Sequence, residues 1–525
     1  MISSLHLSNS ASSFSSSELM AHSSIFLFFL ILTIALTSCY ANKLGLDFHH
    51  RFSDKVREWT DSQGLPPVWK PEEAPHGTVE YYRALLKHDL NRHRGRSLAS
   101  GEQFDFANGN KTTEYLGFLH YAFVDLGTPK QTFFVALDTG SDLFWVPCHC
   151  KNCAPTSDPS YQNMMFSNYV PSASTTSKMI SCSSDQCFTN STTQCTNKTA
   201  SCTYIMEYGF GYTSSSGILV QDDLHLIARH ISSNLVKLPI VFGCGEVQTG
   251  DLLNGVAPNG LMGLGMSNIS VPSIIASHGI TSDSFSMCFG TDGYGRLNFG
   301  DSGSADQYET SLNTNPYGFY NISITEVTVG STISELSFTA IVDSGTTYSG
   351  FTSTVYGWLV TSFDAQVSEP SIYISGCPFD YCYEISPTQN EVQVPSIYFT
   401  TEGGSSFQAL YPIVFISEQN SKRPFSYCLA IVRYDFNIIG ENFLVGQRIV
   451  FNREKEVLGW KPYNCSTDEN TFAPAPAPAP SSPYSPVIPV PTDSNRASTC
   501  SVGAATIICV VASLILVTHM GLSFY

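Results

Sequence analysis

The 525-residue chain is expected to be all-β and bilobal, two related β-rich lobes with a site in the cleft between them. Three observations predict this. Residues 112–465 run as short alternating segments of Val, Ile, Phe, Tyr and Thr broken by Gly, Pro, Asn and Ser, with few helical patterns. One short pattern, an apolar run ending in Asp, occurs twice about 200 residues apart, as a duplicated lobe would give. The composition, 42% hydrophobic and 12% aromatic, is too apolar for a disordered chain and ample for a large core. The net charge of −18 argues against nucleic-acid binding, which needs a basic face.

In chain order, residues 1–41 read as a secretory signal. The apolar run 25–36 is too short to span a bilayer and leads to small residues that allow a cut after Ala41. Residues 42–111 read as a removable prosegment. They hold 11 Lys and Arg, 10 Asp and Glu and five His, whereas residues 112–469 hold 14 and 32, so the negative charge sits in the body. A near-neutral segment, basic once its histidines charge, is expected to be held on the acidic body by attraction that weakens as carboxylates protonate. The alternative is a surface helical arm that stays attached. The lobes are expected over 112–312 and 313–466.

Residues 467–501 read as a stalk and anchor-site region. Residues 473–480 are a strict Ala-Pro repeat and 481–491 stay rich in Pro and Ser, a composition expected to form extended polyproline II and bury nothing. The apolar tail 502–525 follows small residues and a polar spacer, the ordered parts of a glycolipid-anchor signal with Ser494 or Asn495 as attachment residue. A C-terminal membrane span is the alternative. No Lys or Arg follows the apolar run to hold a cytoplasmic end, which favours the glycolipid.

The repeated pattern is Val135-Ala136-Leu137-Asp138-Thr139-Gly140-Ser141 and Ala340-Ile341-Val342-Asp343-Ser344-Gly345-Thr346. Each strand delivers a carboxylate to a turn, Gly admits a second backbone, and the flanking hydroxyls can fix the carboxylate by hydrogen bonds. A single Asp-x-Gly is usually a structural turn. Two copies suggest paired carboxylates between the lobes, and like charges side by side cost energy unless one holds a proton.

Asp138-Thr139-Gly140-Ser141 with Asp142-Leu143-Phe144-Trp145-Val146-Pro147 after it, and Asp343-Ser344-Gly345-Thr346-Thr347, resemble the two active-site loops of pepsin-like aspartic proteases. Leu126-Gly127-Thr128-Pro129, Asn259-Gly260-Leu261-Met262-Gly263-Leu264-Gly265 and Asn437-Ile438-Ile439-Gly440-Glu441 are similar to supporting elements of that family, in its order. The resemblance implies peptide-bond hydrolysis by a water held between Asp138 and Asp343, without cofactor or metal, on a peptide or protein substrate, by a secreted monomer. It further implies that Thr139 and Ser344 cross-brace the loops and that Ser141 and Thr346 bond the outer carboxylate oxygens. Gly140 and Gly345 complete the loops. Tyr208 is the implied flap tyrosine, with Tyr212 competing.

Thirteen of the 16 cysteines lie between Cys148 and Cys465, an odd number. Their crowding after the first loop resembles the nepenthesin-type plant subgroup. That resemblance implies the pairs Cys182–Cys202, Cys187–Cys195, Cys153–Cys244, Cys382–Cys428 and Cys288–Cys465, with Cys377 left over. The Cys148-His149-Cys150-Lys151-Asn152-Cys153 run departs from it, and a zinc site there is a weaker alternative. Asn110, Asn190, Asn197, Asn268 and Asn321 begin glycosylation sequons. A second functional class remains open, a non-catalytic binding or inhibitor protein of the plant cell wall on the same fold; loss of either Asp would mark it, and both are present.

Overall fold

The computed structural model describes residues 44–50, 77–83, 86, 120–154, 166–187, 197–208, 213–228, 235–254, 257–290, 294–313, 318–418, 421, 423–465 and 487–491. The expected signal, the sequons Asn110 and Asn190, Tyr212, Cys195, Ser494, Asn495 and the apolar tail lie outside the described residues.

Strands dominate, as the alternating pattern predicts. A 14-stranded sheet carries the N-terminal lobe and reaches into the C-terminal one through Gln447–Asn452 and Val457–Pro462. The C-terminal lobe adds an eight-stranded and a four-stranded sheet. The fold is therefore all-β and bilobal, with one sheet shared between the lobes.

Each lobe repeats one local topology. In the first, Gln131–Asp138 runs parallel to Leu261–Gly263, with Asp138 opposite Gly263. In the second, Phe338–Val342 runs parallel to Ile438–Ile439. Both carboxylates thus leave the end of an interior strand, where Val135, Ala136 and Leu137 or Ala340 and Val342 bury their side chains. Helices are few. Ser353–Asp364 is the longest of the α-helices described, and it buries Val355, Tyr356, Leu359, Val360 and Phe363, one helical face against the second lobe.

Two segments carry strands that the sequence reading did not name. Leu44–His50, in the expected prosegment, is a strand between Tyr294–Phe299 and His120–Leu126 in the large sheet. Its Phe48 is fully buried. The expected stalk does not bury nothing: Val487–Pro489 pairs antiparallel with Glu391–Gln393, and Val490 joins the core. The Val and Ile side chains there supply apolar area that the Ala-Pro repeat lacks.

The disulfides correct three expected pairs. Cys148, not Cys153, joins Cys244, because Trp145–Asn152 runs parallel to Leu235–Thr249 with Val146 opposite Cys244, which leaves Cys148 and Cys244 with Cα atoms 4.9 Å apart. Cys153 closes onto Cys150 instead. Cys187 joins Cys202, with Cα atoms 5.7 Å apart, in place of the expected Cys182–Cys202 and Cys187–Cys195. Cys182 is also disulfide-bonded. The zinc alternative fails because its three thiols are used in bridges. Cys288–Cys465 and Cys382–Cys428 are present, and Cys377 is the one free cysteine among the described residues.

Candidate active site

The two loops meet at the junction of the lobes through a reciprocal brace. Thr139 N–H donates to Ser344 Oγ at 3.1 Å and Ser344 N–H donates to Thr139 Oγ1 at 2.9 Å. Each hydroxyl then donates across the junction, Thr139 Oγ1 to Val342 O at 3.3 Å and Ser344 Oγ to Leu137 O at 3.4 Å. Serine in one loop and threonine in the other give the same contacts because only the hydroxyl is used.

Each carboxylate is held in the same way. Gly140 N–H donates to Asp138 Oδ1 at 2.9 Å and Ser141 Oγ to Asp138 Oδ2 at 2.5 Å. Gly345 N–H donates to Asp343 Oδ1 at 2.9 Å and Thr346 Oγ1 to Asp343 Oδ2 at 2.9 Å. Asp138 and Asp343 are fully buried. Two fixed donors per carboxylate leave little rotational freedom, so the pair is organised before any ligand arrives.

Glycines set how closely the backing elements approach. A Cβ on Gly263 would lie 2.2 Å from Asp142 C, and one on Gly440 2.7 Å from Tyr348 C. Leu264 N–H donates to Asp138 O and Asp343 N–H to Ile439 O, which tie each loop to its backing strand. Behind the second loop, Glu441 N–H donates to Thr346 O, and the Glu441 carboxylate meets His120 Nδ1 at 2.8 Å. The sequence gives no sign of this buried pair, whose members lie far apart along the chain.

Asp142 is a third carboxylate at the site. Burial pushes its pKa up, the Ser267 N–H bonded to Oδ1 at 3.0 Å opposes that, and the nearby Asp138 raises it further. Its place in the motif was legible, but its half-buried setting and the bond from the distant Ser267 were not.

Tyr208 ends the strand Thr203–Tyr208 of a hairpin whose return strand begins at Thr213. Its hydroxyl accepts a 2.8 Å hydrogen bond from Trp145 Nε1, three residues beyond Asp142. That bond ties the hairpin to the strand leaving the first loop.

Residues of the expected prosegment lie on the C-terminal lobe. Residues 79–83 are helical, and Tyr81, Tyr82 and Leu86 share an apolar cluster with Tyr348, Phe379, Val432 and Tyr434. Tyr82 Oη donates to Phe415 O at 2.9 Å and Arg83 Nε to Gly376 O at 2.7 Å. The Tyr81 phenol is held far above its ordinary range by burial, then by Tyr82 and Glu441. Cys377 is beside this helix, with its Sγ 3.8 Å from both sulfurs of Cys382–Cys428.

Asn197 and Asn268 are exposed, as a glycan requires, whereas Asn321 is half-buried in a strand and its Oδ1 accepts from Asn313.

Comparison with known proteins places this geometry in a family. Residues 120–301 match the family model described as "Xylanase inhibitor N-terminal" and residues 319–462 the one described as "Xylanase inhibitor C-terminal". The chain is 42% identical over 466 residues to "Aspartyl protease family protein 1" of Arabidopsis thaliana, covering 86% of this chain and 88% of that protein. It is 36% identical over 499 residues to "Aspartic proteinase-like protein 1" of the same plant, with 91% of each covered. "Aspartic proteinase nepenthesin-1" of Nepenthes gracilis is 28% identical over 341 residues, 61% of this chain and 73% of that protein. Among solved structures, conglutin gamma from lupine seeds superposes with a TM-score of 0.52 at 21% identity over 66% of this chain and 92% of that one, a likeness of fold. With both lobes matched and relatives aligned along most of its length, the chain belongs to the family of plant pepsin-like aspartic proteases.

Proposed function

We propose that the protein is an aspartic endopeptidase in which Asp138 and Asp343 activate one water against the scissile carbonyl of an extended peptide. The reciprocal brace of Thr139 and Ser344 carries this reading, because it fixes two fully buried carboxylates at one junction. Adjacent like charges in such a site share a proton. The ionised carboxylate takes a proton from the water as it attacks, and the protonated one polarises the carbonyl oxygen. The proton then passes to the leaving amine. Titration belongs to the pair, so neither residue owns the acid role.

The same reading makes the chain a secreted zymogen. The packing of Tyr81 and Tyr82 against Tyr348, five residues beyond Asp343, supports a prosegment that covers the C-terminal side of the cleft. Secretion, glycosylation at Asn197 and Asn268, and a glycolipid at Ser494 or Asn495 on the outer face of the cell membrane complete the proposal.

A second reading is a binding or inhibitor protein, favoured by the description of the matching family models. The intact loops with all four carboxylate donors in place speak against it. The test is acid incubation of the secreted chain, after prosegment removal, with an unfolded protein. The wild type should cleave it and Asp138→Asn should lose about a thousandfold or more in kcat. Equal cleavage by both, or none by the wild type, overturns the proposal.

A further inference from the structure

We propose that the strand Glu391–Gln393 of the C-terminal lobe is a docking site for the chain's own tail, residues 487–490, which clamps the body at the end of the Pro-rich segment instead of leaving it on a free stalk. Among the described residues, this strand has the tail as its one strand partner. The register places Val392 opposite Ile488 and Glu391 opposite Pro489, and Val490 N–H donates to Asn390 O at 2.7 Å. Val392 is fully buried and Val490 is 3% exposed, and both join the core that holds Ile385 and Val394, with Ile488 packed against it.

The sequence suits this role. Between its prolines, the repeat 473–480 offers only alanine methyl groups, whereas Pro486-Val487-Ile488-Pro489-Val490-Pro491 places larger apolar side chains between prolines. Prolines keep the segment extended before it docks and lower the entropy lost on docking. Pro489 cannot donate a ladder hydrogen bond, and an outer strand is where that is tolerated. On the receiving side, Arg423 Nη2 donates to Gln389 O and Ser386 O, fixing the turn that leads into the strand.

The consequence is one of reach and rests on the glycolipid reading. From Val490 to Ser494 the chain spans about 14 Å when fully extended. Undocked, the 29 steps from Cys465 to Ser494 would span about 30 Å as a random coil and about 90 Å as polyproline II. Docking therefore holds the body against the membrane.

Hydrogen exchange on the full-length chain tests the docking. The amides of Ile488, Val490 and Val392 should exchange at least tenfold slower than unstructured peptide, and Ile488→Asp/Val490→Asp should abolish that protection while the strand Gln131–Asp138 keeps its own. Unprotected tail amides in the wild type overturn the proposal. On membranes, energy transfer from a dye on the body to a lipid dye should fall in the double variant as the body moves out by tens of ångströms. Equal transfer in both proteins overturns the clamp. Protected amides in a chain that never reaches membranes uphold the docking and dismiss the anchor.

Discussion

Ser141 donates the shorter of the two side-chain bonds to the carboxylate pair, 2.5 Å to Asp138 Oδ2. A hydrogen bond to a charged acceptor contributes about 1.5–3 kcal/mol, so Ser141→Ala should lower kcat by about 10–100-fold. KM should hardly change, because Ser141 holds Asp138 and is not needed to bind the peptide; steady-state kinetics separate the two. Asp142 gives a second expectation with a defined sign. Burial raises its pKa, so the folded chain binds that proton more tightly than the unfolded one. The stabilisation is complete below the ordinary carboxylate range, near pH 4, and is lost as pH rises through the folded value. Asp142→Asn keeps an acceptor for Ser267 N–H and should narrow the gap between the melting temperatures at pH 4 and pH 7. An unchanged gap would show that Asp142 does not drive it. At this scale the motif was legible because one chemical requirement, a carboxylate between hydroxyl and glycine, is written in four consecutive letters. The burial of Asp142 was not legible, since it comes from packing against residues 263–267.

Between elements, a close polar contact behind the site joins the strand His120–Leu126 to the short helix Glu441–Leu444. The His120 and Glu441 side chains are 3% and 10% exposed, and Glu441 is also tied by its N–H to Thr346 O. His120→Ala would take a polar partner from a buried side chain, at a cost of about 1–3 kcal/mol. A several-degree fall in melting temperature is expected, with a larger loss of activity than stability alone explains if Thr346 shifts off Asp343. Activity measured well below the melting temperature distinguishes these effects. Element existence was largely readable, because alternating apolar residues mark strands wherever they pair. Partner choice was not. Val146 lies opposite Cys244 only because two strands run parallel, and that register, not cysteine spacing, decides that Cys148 takes the bridge. The tail strand was hidden for a related reason: Pro-rich composition describes what Val487–Pro489 does alone, and Glu391–Gln393 supplies what it does in the fold.

At the scale of the whole molecule, the charge asymmetry of the sequence suggested a prosegment held by attraction. Among the described residues, burial and strand pairing also hold this segment on the body. Leu46, Phe48, Tyr81, Tyr82 and Leu86 are all buried, Leu44–His50 is paired on both sides, and Arg83 donates to a backbone carbonyl. Burial of one large apolar side chain contributes about 1.5–3 kcal/mol, whereas an exposed ion pair contributes about 0–1 kcal/mol and is screened by salt. The two accounts therefore differ in what loosens the segment. If attraction dominates, raising salt from 50 to 500 mM near neutral pH should speed activation severalfold. If burial dominates, salt should change the rate by less than about twofold. Tyr81→Ala/Tyr82→Ala should then raise basal peptide cleavage by tenfold or more without acidification, because both rings leave the cluster around Tyr348 and Phe379. The rate of appearance of cleavage activity across the salt series, in the wild type and in the double variant, decides between them. Strong salt acceleration together with a silent double variant would return the prosegment to electrostatic control.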